Sequence, residues 1–198
     1  MTITHPHLSA VPDRLAHEAA VRDGVRAMLR LAGEDPDRDG LTDTPSRFLK
    51  AWLEMTARPG DPEDLLAVMF DDAGPVDEMV VVGPVAFTSV CEHHLLPFTG
   101  HAVIAYIPTS GVVGLSKLPR LLEHYARRPQ VQERLTRQIT DALSALVPNQ
   151  GTACLIRATH TCASMRGVRK EAPMTTTSLT GLFRDDPAAR AEFLAAAR

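Results

Sequence analysis

The segment TSVCEHHLLPFTG, residues 88–100, places Cys91 within three positions of His93 and His94. Thiolate and imidazole are zinc's preferred ligands, and a C-x2-H pair such as Cys91 and His94 fills two corners of a tetrahedral site. A second group, ATHTCAS, adds His160 and Cys162. If a strand running from Thr152 stays extended, its side chains alternate, so Cys154, Ile156, Ala158, His160 and Cys162 share one face. Arg166 joins them if the extended conformation persists. Two arrangements are open at this point. Cys91, His94 and Cys162 make a three-ligand site with one position left for water, which frees His93 and His160 as acid/base groups. Alternatively Cys91, His94, His160 and Cys162 close a structural site. Cys154 reads as a core thiol, since free cysteine packs as a small hydrophobe. His5, His7, His101 and His124 read as surface or structural residues.

A second set of residues is basic. GLSKLPR offers Ser116, Lys117 and Arg120; MRGVRK offers Arg166, Arg169 and Lys170; TPSRFLK offers Arg47 and Lys50, three apart and so on one helical face. Each is a solvated charged face or, gathered together, a polyphosphate site in which arginine binds bidentately and lysine acts as a point charge. In RRPQVQERLT, Gln132 and Glu133 lie off the apolar stripe at a helix start. Glu133 suits the positive end of the helix dipole there. A carboxylate can equally accept two adjacent N–H donors from a planar base.

These residues need elements to hold them. Val21, Val25, Met28 and Leu29 stripe a helix over about residues 16–32, and GEDPDRDGLTDTP reads as a loop. Thr44 and Pro45 announce a second helix, as N-cap and first helical residue. Residues 77–90 are β-rich, with an interruption expected at Gly83 and Pro84. HAVIAYIP (101–108) reads as a strand, and the sequence turns helical from VVGLSKL onward. Val131, Leu135, Ile139, Leu143 and Leu146 stripe a longer helix after Pro129. Residues 152–162 and 174–183 read as strands, and a short helix follows Asp186. The expected organisation is a tail (1–15), an N-terminal helical segment (16–76) and an α+β domain (77–198).

The 198 residues carry a net charge of −3, with 44% hydrophobic and 23% charged residues. Nothing there draws the whole molecule to nucleic acid or to a membrane surface, and aromatic residues are too sparse for a base-stacking groove. No apolar run reaches the roughly 20 residues needed to span a bilayer. Three cysteines at irregular spacing are no disulfide framework. With no basic-then-apolar leader in the first twenty residues, a cytoplasmic location is expected.

Taken in order, CEHH, GLSKL-R, RR-QVQERLT, H-x-C-x3-RG and TTTSLTGLF resemble GTP cyclohydrolase I, and GEDPDRDGLTDTPSR extends the likeness over roughly residues 17–198. The resemblance implies the tunnelling fold, an antiparallel sheet with helices packed on one face, and a homodecamer with active sites between subunits. It implies conversion of GTP and water to 7,8-dihydroneopterin triphosphate and formate, the entry to folate or tetrahydropterin synthesis, with one zinc per subunit. By resemblance the zinc ligands are Cys91, His94 and Cys162, and the catalytic histidines His93 and His160. Glu133 with Gln132 matches the guanine-recognising segment. Ser116, Lys117, Arg120, Arg166, Arg47 and Lys50 match the triphosphate-binding set. Arg157, Thr161 and Ala163 depart from the family pattern; strand alternation turns all three away from His160. The alternatives are a paralogue that opens the purine of GTP or a related nucleotide without completing the pterin, and a non-enzymatic protein with a closed metal site.

Overall fold

Two helices open the chain: α1 (Arg14–Leu31) and α2 (Thr44–Met55) pack on each other within a unit that ends at Ala57. The computed structural model describes residues 11–70, 76 and 78–198, so the first ten residues of the expected tail lie outside the described ones. Pro45 falls in the first turn of α2, where its missing N–H leaves no bond unmade. Thr44, expected as the cap, is the first helical residue, and Asp43 precedes the helix. The Asp43 carboxylate pairs with Arg47 at 3.1 Å instead of capping.

A second unit begins at Arg58. Its elements are α3 (Pro62–Leu66), β1 (Met69–Phe70), β2 (Val80–Cys91), β3 (Pro97–Pro108), β4 (Val112–Val113), α4 (Lys117–Ala126), β5 (Pro129–Gln130), α5 (Gln132–Leu146), β6 (Asn149–His160), α6 (Thr161–Ser164), β7 (Met174–Leu179), α7 (Leu182–Asp185) and α8 (Pro187–Ala196). The unit starts well before residue 77 because α3 packs on α4 and α5, and β1 pairs with β4. The main sheet has the order β5-β2-β3-β6-β7 and is antiparallel except where β2 runs parallel to β5. The β2–β3 register shifts between Val82 and Val85, at the expected Gly-Pro interruption.

Helices cover both faces of the sheet, not one. On one face Leu118, Leu121, Leu122, Leu135, Ile139 and Leu143 of α4 and α5 meet Ala102, Ile104 and Tyr106 of β3 and Cys154 and Ile156 of β6. On the other, Phe183 and Phe193 from α7 and α8 meet Val103, Ala105, Ile107 and Ala153. Successive residues of β3 therefore point into two different cores, which is why HAVIAYIP is apolar almost throughout. Burial of this kind stabilises by roughly 25 cal/mol per Å² of apolar surface.

The topology decides where chemistry can collect. β2 and β6 flank β3 and are both antiparallel to it, so they run in the same direction and end at the same sheet edge. Val90 pairs with Pro97 there, and Phe98 with His160. Cys91 pairs with Gln130 of β5, which delivers the start of α5 to the same edge.

Candidate metal and acid/base site

Cys91 is the last residue of β2 and is buried. The chain then turns tightly: Leu95 N–H donates to Cys91 O at 2.8 Å, His94 N–H to the same oxygen at 3.3 Å, and Cys91 N–H to Leu96 O at 2.8 Å. Leu95 adopts φ 54°, in the left-handed region. This turn sets the His94 Nδ1 4.0 Å from the Cys91 Sγ. His93 is exposed, its ring edge-on to that of His94. Glu92 anchors the turn from outside: its N–H donates to Gln130 O at 3.1 Å and its carboxylate pairs with Arg134. Hydrogen bonding from Arg134 holds that carboxyl below the ordinary range.

The second half arrives on β6. The expected face is right as far as His160: Cys154, Ile156 and Ala158 are buried and Arg157 is exposed. Beyond His160 the strand stops. Thr161–Ser164 form the helical turn α6, closed by Met165 N–H to Thr161 O at 2.9 Å and tied to β3 by Thr161 Oγ1 donating to Pro97 O at 2.5 Å. Cys162 therefore reaches the site by a helical turn and not by strand alternation. Thr161 and Ala163 sit in that turn, so alternation does not describe them either. Arg166 follows α6 and is exposed, and its charge acts on the Cys162 thiol.

The sulfurs of Cys91 and Cys162 lie 3.9 Å apart. One ligand atom from each of Cys91, His160 and Cys162 lies within 4.8 Å of the others. The set fits a metal ion. Metal–sulfur bonds of about 2.3 Å put two tetrahedral ligands about 3.8 Å apart, and a sulfur and a nitrogen about 3.6 Å apart. The Cys91–Cys162 separation matches the first value, and the Cys91–His94 separation is within a small side-chain adjustment of the second. Burial pushes the Cys162 thiol up, and the neighbouring Cys91 thiol pushes it further, so a cation between the sulfurs would favour the thiolate forms.

His160 is half-buried, with its ring stacked on Phe98 at 4.4 Å between centroids and 8° between planes. Its Nε2 lies 2.9 Å from Gln132 Oε1. Burial lowers the imidazole's affinity for protons, and the carboxylate of Glu133 raises it. Phe98 and the burial of Gln132 were not legible from ligand spacing. The signal for Gln132 was the i, i+4 series Gln132, Thr136, Thr140, a polar row beside the apolar one.

Of the basic residues, Ser116 immediately precedes α4, with Lys117 and Arg120 in its first turn; Ser116 and Arg120 are exposed. Arg47 and Lys50 lie exposed on α2 of the first unit, within reach of Asp43 and Glu54 at 3.1 and 3.9 Å. Glu133 is exposed in the first turn of α5. Cys154 is fully buried, and burial pushes its thiol far above the ordinary range.

The fold and the cluster together define an α+β protein with a Cys/His centre at one sheet edge that could hold a metal ion. A family model described as GTP cyclohydrolase I matches residues 21–198. GTP cyclohydrolase 1 of Mycolicibacterium vanbaalenii is 46% identical over 198 residues, 98% of this chain and 97% of that protein. The enzyme of the same name from Bifidobacterium longum is 50% identical over 182 residues, 90% of each chain. That of Rhodopirellula baltica is 48% identical over 178 residues, 89% of this chain and 77% of that protein. The chain belongs to the GTP cyclohydrolase I family and is an enzyme.

Proposed function

We propose that the chain hydrolyses GTP to 7,8-dihydroneopterin triphosphate and formate, at a zinc ion held by Cys91, His94 and Cys162. The observation that carries this reading is the convergence of the Cys91 and Cys162 thiols, 3.9 Å apart, with the His160 imidazole, a group that lies within 4.8 Å at the sheet edge. It is joined by His94 on the Cys91 turn, with Nδ1 4.0 Å from the sulfur. Zinc, when bound, supplies Lewis-acid activation for hydrolysis.

The chain's own residues supply the rest. His160, whose proton affinity is lowered by burial, is one proton carrier near neutral pH; His93, exposed beside the ligand turn, is the second. Water adds at guanine C8, and one imidazolium protonates the ring nitrogen that leaves as an amine. A second hydrolysis releases formate. Ribose opening, rearrangement and reclosure then need only proton transfers between the same groups. Glu133 is the acceptor for adjacent N–H donors of the guanine. Ser116, Lys117, Arg120 and Arg166, with Arg47 and Lys50, are the triphosphate set. The same reading includes the tunnelling fold, assembly into a homo-oligomer, a decamer with sites between subunits, and a cytoplasmic location.

The test is zinc-loaded protein incubated with GTP, with formate and pterin fluorescence followed together. Equal yields of both are expected. Formate without pterin would replace this reading with a purine-opening reaction. Neither product from zinc-loaded protein would refute it.

A further inference from the structure

Gln132 is the first residue of α5 and is 1% exposed. Its side-chain nitrogen faces three oxygens: Ile156 O at 3.2 Å, Met174 O at 3.0 Å and Thr176 Oγ1 at 3.1 Å. Two of these are backbone carbonyls, which only accept. Turning the amide over would set Gln132 Oε1 against both carbonyls and leave a buried row of acceptors without a donor. The amide orientation is therefore fixed by the strands beneath it.

The neighbouring hydroxyls have one consistent arrangement. Thr136 Oγ1 donates to Gln132 O at 2.7 Å. Its single proton being used, the 2.6 Å contact with Thr176 must run from the Thr176 hydroxyl to Thr136. Thr176 Oγ1 is then free to accept from Gln132, as the amide orientation requires. The loop of three residues closes with every proton assigned.

With the amide fixed, Gln132 Oε1 is the atom 2.9 Å from His160 Nε2. A carbonyl oxygen cannot donate, so Nε2 must carry the proton. Phe98 holds the ring plane by its parallel stack and restricts the ring flip that would put Cε1 in the place of Nε2. We propose that Gln132 is a positioning residue that locks His160 in the Nε2–H tautomer, which leaves Nδ1 the bare nitrogen of the neutral ring. Gln132 does this in place of binding guanine, a role that falls to the exposed Glu133 alone. The lock holds for neutral imidazole and for imidazolium alike, since Nε2 is a donor in both.

The inference rests on the reading of His160 as an acid/base group, but its first test does not. In zinc-loaded protein labelled with 15N-histidine, solid-state NMR separates a protonated, pyrrole-type nitrogen from an unprotonated, pyridine-type one, and a His160→Gln sample assigns the signals. The expected result is a protonated Nε2 and a pyridine-type Nδ1 in the neutral ring. A protonated Nδ1 with bare Nε2 would overturn the proposal whatever the protein does to GTP. Gln132→Met keeps the length of the side chain and removes both polar atoms. It should yield a mixture of tautomers and lower kcat by about 10- to 100-fold, the loss usual for an outer partner of a site histidine. KM for GTP should stay within about threefold. A raised KM with unchanged kcat would make Gln132 a substrate contact and refute the assignment. A Gln132→Met protein that keeps a single Nε2–H tautomer would do the same.

Discussion

Gly100 sits in β3 between the two strands that end at the Cys/His cluster, opposite Phe87 of β2 and Ala158 of β6. A Cβ placed there would meet Arg157 O at 2.1 Å and the Ala158 Cα and Cβ at 2.6 Å. Ordinary contact begins near 3.4 Å, so β3 and β6 would have to separate by roughly 1 Å in a region packed to near crystal density. The atoms met are backbone and a Cβ, with no flexible side-chain tip to swing aside. Overpacking costs about 1–3 kcal/mol, and Gly100→Ala belongs at the upper end. With a urea dependence of about 2–3 kcal/mol per molar, the unfolding midpoint should fall by about 1 M. Far-UV circular dichroism is the suitable probe, because the single tryptophan, Trp52, lies on α2 of the other unit. Activity should fall as well, since Phe98 and His160, the stacked pair, are the next inward-facing pair along the same two strands. Gly24→Ala supplies the control: the same methyl on α1 meets nothing within 4 Å and should stabilise by about 0.5–1 kcal/mol through helix propensity. An unchanged midpoint for Gly100→Ala would show that the close approach of β3 and β6 is not required.

His94→Ala and His160→Ala should part company. The first is expected to lose bound zinc on dialysis, and the second to keep zinc while losing turnover, with elemental analysis and formate release as the readouts; zinc lost from both would favour a closed four-ligand site. Cys154 should resist iodoacetamide at pH 8 in the folded protein, because burial keeps its thiol protonated far above the ordinary range, and should be modified once urea unfolds the chain. Mass spectrometry after metal chelation checks this, and labelling of folded Cys154 at the rate of Cys162 would contradict it.

What could be read from sequence followed how local each cause was. The α5 stripe through Leu135, Ile139 and Leu143 is periodic and was legible, and all three residues are fully buried. The inward face of β6 was legible for the same reason. Cys162, expected beside His160 by strand alternation, comes near Cys91 through a helical turn instead: alternation cannot foresee that the chain leaves the strand at His160, because that turn is tied by a contact with Pro97, 64 positions away. The second layer of helices was missed because α8 has only one fully buried anchor, Phe193, and its short apolar run reads as surface helix. Gln132 lies off the apolar stripe of α5, so apolar periodicity gives no sign of its burial. Its burial comes from a polar row whose partners lie about forty residues further on.

That polar row explains why α5 can position a histidine at all. Thr136 meets Thr176 at 2.6 Å, Thr140 meets Ser178 at 2.6 Å, and Ser144 meets Thr180 at 3.0 Å. Four residues of helix advance about 6.0 Å and two residues of strand about 6.6 Å. Rungs at i+4 on α5 therefore stay in step with rungs at i+2 on β7 and on Thr180 just after it. Apolar packing alone is non-directional and would tolerate a small slide of the helix along the sheet. Hydroxyl rungs do not, because a slide of half a rung leaves several buried donors and acceptors unmade at once. The register so fixed ends at Gln132, whose amide must meet Ile156 O, Met174 O and Thr176 Oγ1 while its oxygen meets His160. The edge strand β7 thus acts on the site through the helix: it sets the helix, the helix sets the amide, and the amide sets which nitrogen of His160 is bare.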